Sequence, residues 1–106
     1  MTQDEYIQQF SRILTQMLDL TKAKNSDYAD STDAFHNFKQ IEQLSSGRIS
    51  VASGILVRMT DKMTRIANLL SREAQISEKL EDTLTDLAVY SIILRIWLEE
   101  KANRKS

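Results

Sequence analysis

Three carboxylates and a phenol recur at four-residue steps in the last third of the chain. They are Glu78, Asp82, Asp86 and Tyr90. Because an α-helix turns once in 3.6 residues, this spacing places all four side chains along one side of a helix. Like charges at this spacing repel each other, and Glu81 adds a further charge, so a divalent cation such as Mg²⁺ is a natural compensating ligand. The alternative is a solvated acidic face near a helix N-terminus, where acids favour the helix dipole.

An upstream segment, RMTDKMTR, mixes acidic and basic residues at helical spacing. Arg58, Asp61 and Arg65 share a helix face there, with Lys62 beside them. If this face meets the acidic residues, Asp61 can join a metal shell, while Lys62 and Arg65 bind phosphate. The alternative is a set of exposed ion pairs on a helix surface, each worth only about 0.3–0.5 kcal/mol.

A polar stretch near residue 24 offers a third group of candidate ligands. It contains Lys24, Asn25, Asp27, Tyr28 and Asp30. Polar side chains on a connection held by rigid helices often contact ligands, but turn formation explains these residue types equally well.

Other common catalytic chemistries find little support in the chain. There is no cysteine, so a thiolate zinc site and a cysteine nucleophile are excluded. The single histidine, His36, lies among aromatic residues and is interpreted as structural. No glycine-rich phosphate loop is present, so a nucleotide would be held by side chains and a metal.

Four helices must position these residues. A capping box formed by Thr2 and Glu5 begins a helix over about residues 3–23. A short helix carries Phe35, Phe38 and Ile41, with Asp33 or Ser31 as its cap and residues 45–47 as its stop. Apolar periodicity predicts a third helix over about 49–72 and a fourth from the cap residue 77 to about 101.

Two features of the third and fourth helices predict close packing. Gly54 inside the third helix costs about 1 kcal/mol relative to alanine, which indicates that another group comes close there. In the fourth helix the run AVYSIILRIWL is apolar on more than one side, so we expect one surface to pack within the chain and the other against a second subunit. The basic tail from about residue 101 is expected to fray.

Length and composition predict one all-α domain spanning residues 1–106. The chain has no proline and only two glycines, which favours uninterrupted helices. We expect a helical bundle of three long helices and a short one, and the small size predicts that oligomerisation completes it.

Charge and hydropathy restrict the partners and the location. The net charge of −1 provides no field for a nucleic acid polymer, and no apolar run is long enough to span a membrane. The polar N-terminus and the absence of cysteine fit a cytoplasmic protein.

Three sequence elements, taken in order, resemble a family of small phage and prophage proteins, nucleotide modification associated domain 1. They are KNSDYADSTDAFHNF, VRMTDKMTRIANLL and ISEKLEDTLTDLAVY, which together cover about residues 24–100. The family is in turn similar to the all-α MazG-type nucleoside triphosphate pyrophosphohydrolases, which are metal-dependent helical bundles that form dimers or tetramers. The resemblance therefore implies a MazG-like fold, a nucleotide ligand and self-association as a homodimer or homotetramer.

The resemblance also assigns roles to individual residues. Mg²⁺, or Mn²⁺ in its place, would be bound by Asp61, Glu78, Asp82 and Asp86, with Glu78 and Asp82 serving catalysis. Phosphate would be bound by Lys24, Lys62 and Arg65, whereas Asn25, Asp27 and Tyr28 would lie near the base or sugar. A metal-activated water would then cleave a (d)NTP into a nucleoside monophosphate and pyrophosphate.

The chain departs from the MazG pattern at the third helix. MazG enzymes carry a Glu-x-x-Glu pair there, whereas this chain has Asp61 followed by Lys62 and Arg65. Two alternatives to hydrolysis therefore remain open: a phage protein that binds a nucleotide or cyclic nucleotide without cleaving it, and so blunts host defence, or a helical scaffold. In a phage-encoded protein the location would be the cytoplasm of the host cell.

Overall fold

A computed structural model describes residues 1–27, 33, 35–72 and 77–105, without the side chains of residues 25–27 and 105. This part of the chain contains four α-helices and no strand: α1 (Gln3–Asp27), α2 (His36–Leu44), α3 (Val51–Arg72) and α4 (Glu78–Lys105). The all-α prediction, with three long helices and one short helix, is confirmed. None of the described helices is long and apolar enough to cross a membrane.

The chain divides into two compact units, Met1–Ala34 and Phe35–Ser106. The first unit contains α1, which begins with the predicted capping box: the Glu5 N–H donates to Thr2 Oγ1 at 3.1 Å, and the Thr2 N–H donates to Glu5 Oε2 at 3.3 Å. The helix ends at Asp27, four residues beyond the predicted end, so Lys24 lies in its last turn. A basic residue is favoured there by the helix dipole. The single domain over residues 1–106 stays a prediction.

The second unit begins with α2, whose end follows the sequence prediction more closely than its start. The N-cap residue is Phe35, which makes no side-chain cap hydrogen bond, so the cap is not Asp33; Ser31 lies outside the described residues. At the other end the Gly47 N–H donates to the Glu42 carbonyl at 2.8 Å, and Ser46 and Gly47 have φ values of 56° and 81°. This left-handed turn ends the helix at the predicted place.

Serine side chains cap α3 and α4. The Ser53 N–H donates to Ser50 Oγ at 3.0 Å, and the Leu80 N–H donates to Ser77 Oγ at 3.1 Å, as predicted for the last helix. Helix α4 continues to Lys105, beyond its predicted end near residue 101. Fraying of the tail stays a prediction. An ion pair between Glu100 and Arg104, one turn apart, supports these last residues.

Helices α3 and α4 form an antiparallel hairpin. The fully buried Val51 and Ile55 near the start of α3 pack with Ile93 and Trp97 in the second half of α4. Further along α3, Lys62 contacts Asp86, which lies earlier on α4. As the residue number increases along α3, the residue that it contacts on α4 has a lower number. The two helices are therefore antiparallel, and these contacts fix their register.

Helix α2 covers one end of this hairpin. Phe35 is buried, and its ring lies 5.0 Å from the ring of Trp97 between centroids. A Cβ atom built on Gly54 would lie 3.4 Å from Phe38 Cδ1. The close approach that Gly54 predicts is therefore made by the ring of Phe38, and no ligand is needed to explain the glycine.

We expect a single methyl group to be tolerated at Gly54 and a larger side chain to be rejected. Gly54→Ala should raise the free energy of unfolding by about 0.5–1 kcal/mol, because alanine is the better helix former and its methyl makes an ordinary contact. Gly54→Leu should lower it by about 1–3 kcal/mol, because Phe38 must move. Urea unfolding of the two variants tests this; equal effects would contradict the contact.

Candidate functional site

The contact between Lys62 and Asp86 lies at the centre of the residues that the sequence selects. Lys62 Nζ lies 3.0 Å from Asp86 Oδ2, and the two side chains are 21% and 29% exposed. The sequence assigned phosphate to the lysine and metal to the aspartate. The structure brings them together as an ion pair, in which the carboxylate already has a cation beside it.

A second pair lies one turn away along each helix. The guanidinium carbon of Arg58 lies 6.0 Å from the centroid of the Tyr90 ring. A side-chain hydrogen bond to Tyr90, and to a lesser extent the nearby charges, raise the pKa of Arg58 above its ordinary high value. The arginine is therefore cationic throughout the physiological pH range. Its other neighbour is Asp61, at a long distance of 4.0 Å between Nη1 and Oδ2.

The remaining polar candidates lie on the same side of the hairpin as these pairs. On α3, Asp61 precedes Lys62 by one residue and Arg65 follows it by three. At about 100° per residue these steps turn the helix by −100° and +300°, and +300° is the same as −60°, so both side chains lie to the same side of Lys62. On α4, Asp82 and Glu78 precede Asp86 by whole four-residue steps, about 40° and 80° further in the same rotational sense. In an antiparallel pair the same sense of rotation leads to the same side.

A shallow depression of about 310 Å³ follows this side of α3. We call it the basic depression, and its lining residues are Arg58, Asp61, Lys62, Thr64, Arg65 and Asn68. The lining holds three cations and one carboxylate, and Asp86 of α4 pairs with Lys62, so one net positive charge is left. Hydroxyl and amide groups supply further hydrogen bonds, so the lining favours an anion with several oxygen acceptors, such as a phosphate group.

Arg65 is the cation of the depression that is most open to a ligand. It is exposed, and among the described residues it makes no ion pair or hydrogen bond, including with Asp61, its predicted neighbour one turn away. Its planar fork can bind two phosphate oxygens together. Lys62, by contrast, is held by Asp86 and presents its remaining N–H donors from a fixed position.

The predicted metal ligands do not form a metal site in this arrangement. Glu78 and Asp82 are exposed, Asp86 is paired with Lys62, and Asp61 lies beside Arg58. Within residues 1–27, 33, 35–72 and 77–105, no group of three or more histidine, aspartate or glutamate side chains is placed to hold a metal ion. Mg²⁺ and Mn²⁺ stay predictions from the sequence.

The connector residues belong to the other unit. Lys24 is an exposed residue in the last turn of α1. The side chains of Asn25 and Asp27, and the whole of Tyr28, lie outside the described part of the chain. Their expected contacts with phosphate, base or sugar stay predictions.

Arg58 and Tyr90 belong to the sequence patterns described above but have no predicted role, and Thr64 and Asn68 are not among the predicted site residues. A signal was present for the first two. Arg58 precedes Lys62 by four residues, and Tyr90 follows Asp86 by four, so in an antiparallel pair a contact between Lys62 and Asp86 also brings Arg58 to Tyr90. No comparable spacing marks Thr64 or Asn68.

Comparisons of the chain with protein-family models, with curated proteins and with solved structures found no match. The resemblance to nucleotide modification associated domain 1 and to MazG-type enzymes therefore stays a prediction. The arguments for a function come from the residues of the basic depression and from the sequence elements that contain them.

We expect the pair between Lys62 and Asp86 to couple the two helices energetically. In a double-mutant cycle with Lys62→Met and Asp86→Asn, the coupling free energy should be about 1 kcal/mol, at the upper end of surface pairs, because both side chains are partly buried. Urea unfolding of the four proteins measures it. The exposed pair between Arg95 and Glu99 on α4 is the control and should couple more weakly. Zero coupling between Lys62 and Asp86 would contradict the predicted role.

Proposed function

We propose that this protein binds a nucleotide through its phosphate groups at the basic depression. The observation that carries the proposal is the lining itself, in which Arg58, Lys62 and Arg65 lie with Asp61, while Lys62 is paired with Asp86 of α4. The three cations exceed the two carboxylates by one charge, which a phosphate group neutralises. Charge-assisted hydrogen bonds from arginine and lysine contribute about 1.5–3 kcal/mol each, so two or three of them give useful affinity.

The form of the depression supports a phosphate-anchored mode of binding. All of its lining residues come from α3, so it is an open surface along one helix. A small charged group can be held there by directed hydrogen bonds without being enclosed. An apolar base would gain little from this lining, so the proposal concerns the phosphate groups. That Asn25, Asp27 and Tyr28 lie near a base or sugar stays what the sequence resemblance implies.

The sequence resemblance supplies the finer parts of the proposal. It supports a MazG-like bundle, a phage or prophage origin, a location in the host cytoplasm and self-association as a homodimer or homotetramer. The chemistry of the lining selects phosphate, and the resemblance extends phosphate to nucleotide. Both rest on the residues of α3: the resemblance uses their order in the sequence, and the lining uses their charges in space.

Binding should appear as stabilisation of the fold by phosphorylated ligands. A ligand at ten times its Kd adds about 1.4 kcal/mol, which raises the Tm of a domain of this size by about 5 °C. We expect millimolar ATP, dATP and pyrophosphate to produce such shifts and adenosine to produce none. Equal shifts with adenosine and ATP, or none with any ligand, would contradict phosphate recognition.

Substitution in the depression distinguishes a site from general charge attraction. Arg65→Ala should weaken ATP binding about 10- to 100-fold in calorimetric titrations, as expected for one lost charge-assisted bond. Arg95→Ala removes the same charge from α4, where the arginine pairs with Glu99 outside the depression, and should leave the Kd unchanged. Equal losses for the two variants would reduce the proposal to non-specific attraction.

Hydrolysis of the bound nucleotide is a second candidate. The feature that favours it is the side of the hairpin shared by Asp61, Asp82 and Asp86, which faces the same solvent region as the basic depression. The acids do not form a metal site as they stand, so we derive no catalytic step through a metal. Hydrolysis would require a rearrangement in which Asp86 exchanges Lys62 for another cation.

An assay for pyrophosphate release separates hydrolysis from binding. If the protein is an enzyme, (d)NTPs with Mg²⁺ or Mn²⁺ should yield pyrophosphate, and Asp82→Ala should lower the rate at least about 100-fold. Glu99→Ala is the control, because this exposed acid of the same helix lies more than four turns from Asp82, beside Arg95, and the variant should retain activity. Nucleotide binding without pyrophosphate release would contradict hydrolysis and support a protein that binds the nucleotide without cleaving it.

A further inference from the structure

The ion pair between Lys62 and Asp86 lies between the two arginines of the basic depression. Lys62 follows Arg58 by four residues and precedes Arg65 by three. Seven residues correspond to about 10 Å along an α-helix, which is longer than one phosphate group. A ligand that binds both arginines through phosphates must therefore extend along α3 past Lys62. The charge at this middle position decides whether the depression can bind a phosphate chain.

Asp86 compensates the charge of the middle position from the neighbouring helix. Its Oδ2 atom lies 3.0 Å from Lys62 Nζ, and it is not one of the residues that line the depression. The two side chains are only 21% and 29% exposed, so water and salt screen this carboxylate less than an exposed one. A phosphate group that approaches Lys62 is attracted by the ammonium group and repelled by the carboxylate beside it.

The two ends of the depression differ in the same respect. Arg58 is engaged by Tyr90 and lies beside Asp61, so its charge is also partly compensated. Arg65 is exposed and makes no ion pair in the described part of the chain. One phosphate group at Arg65 neutralises the single positive charge that is left. A second and a third phosphate would extend toward cations that already have acidic or aromatic neighbours.

Among the acids on this side of α4, Asp86 is the one placed to control this property. Glu78 and Asp82 are exposed, and within the described residues neither forms an ion pair with α3. Solvent screens exposed charges strongly, so these two acids change the field at Lys62 less than a carboxylate in contact with it.

We propose that Asp86 is a specificity-determining residue, which makes the basic depression a site for one phosphate group rather than for a phosphate chain. This inference rests on the proposed nucleotide binding and names its ligand class more closely. The ligand is a nucleotide that presents a single phosphate group to α3, such as a nucleoside monophosphate. Further phosphates of a longer chain extend into solvent and add little affinity.

Calorimetric titrations of the wild-type protein with orthophosphate, pyrophosphate and tripolyphosphate test the inference without any substitution. Divalent cations are left out, so that each ligand carries its own charge. We expect the Kd to fall by less than about threefold with each added phosphate. A row of three uncompensated cations would gain about tenfold or more for each, since every added charge-assisted hydrogen bond is strong. Such a steep gain in the wild type would overturn the inference.

Asp86→Asn should convert the depression into a site for a phosphate chain. The amide has nearly the same shape as the carboxylate, so the hairpin should still form, which circular dichroism checks. The ratio of the orthophosphate Kd to the tripolyphosphate Kd should rise at least about tenfold, because the repulsion that it removes grows with the charge of the ligand. Asp86→Glu returns a carboxylate to this position and should restore the low ratio.

Two further variants separate a contact with Lys62 from a general effect of charge. In a Lys62→Met background, Asp86→Asn should no longer change the ratio, because the lysine through which Asp86 acts is gone. Glu99→Gln is the matched control, since it removes the same charge from α4 beside Arg95, outside the depression. It should leave the ratio unchanged.

The outcomes distinguish this inference from the proposed function. Saturable phosphate binding with the same ratio in wild type and Asp86→Asn would overturn the inference and leave nucleotide binding in place. A rise in the ratio that persists without Lys62, or an equal rise with Glu99→Gln, would also overturn it. If neither the wild type nor Asp86→Asn binds any of the three ligands, the proposed phosphate binding is wrong and the inference is wrong with it.

Discussion

The packing of Val51 and Ile55 against Ile93 and Trp97 is the constraint on which the α3–α4 hairpin depends. This apolar contact is the most completely buried part of the described structure, and it fixes which residues of the two helices meet. Once these residues are paired, helical geometry leaves no freedom further along. Lys62 must face Asp86, and Arg58 must approach Tyr90. The hydrophobic effect at one end thus sets the polar contacts in the middle.

The same register gathers ionisable residues of both helices on one side of the hairpin. Asp61 and Arg65 of α3 lie on the same side as Asp82 of α4, because equal rotation on antiparallel helices leads to the same side. Exposed aliphatic residues lie on both sides: Leu56 follows the buried Ile55, whereas Ile96 precedes Trp97, which packs against the core.

The pair between Lys62 and Asp86 changes the chemistry that the acidic row alone suggests. Three carboxylates in a row attract a metal ion, but the middle of the hairpin offers Asp86 a lysine at 3.0 Å. A bound metal would have to replace that lysine and recruit acids that lie apart. An anion meets no such obstacle at Arg65, whose guanidinium is exposed and makes no ion pair within the described residues. This exposed arginine is the residue on which the proposed phosphate binding depends most.

Much of the local structure could be predicted from the sequence, because caps and stops act over a few residues. The capping box at Thr2 and Glu5, the cap at Ser77 and the stop before Gly47 are examples. Helices α1 and α4 each extend about four residues beyond their predicted ends, since polar residues there continue the helix. For the site, the sequence predicts which side chains share a helix face, because this follows from their spacing. It does not predict that Lys62 pairs with Asp86, because this contact depends on the register that distant apolar residues set.

Phosphate binding at the basic depression is the central claim, and an NMR titration tests it most directly. The amide spectrum of the ¹⁵N-labelled protein would be followed during addition of pyrophosphate and then ATP, with adenosine as the control. The account predicts saturable shifts that centre on residues 58–68 of α3 for both phosphorylated ligands and no such shifts for adenosine. Shifts confined to other residues, or a spectrum that pyrophosphate and ATP leave unchanged, would contradict it.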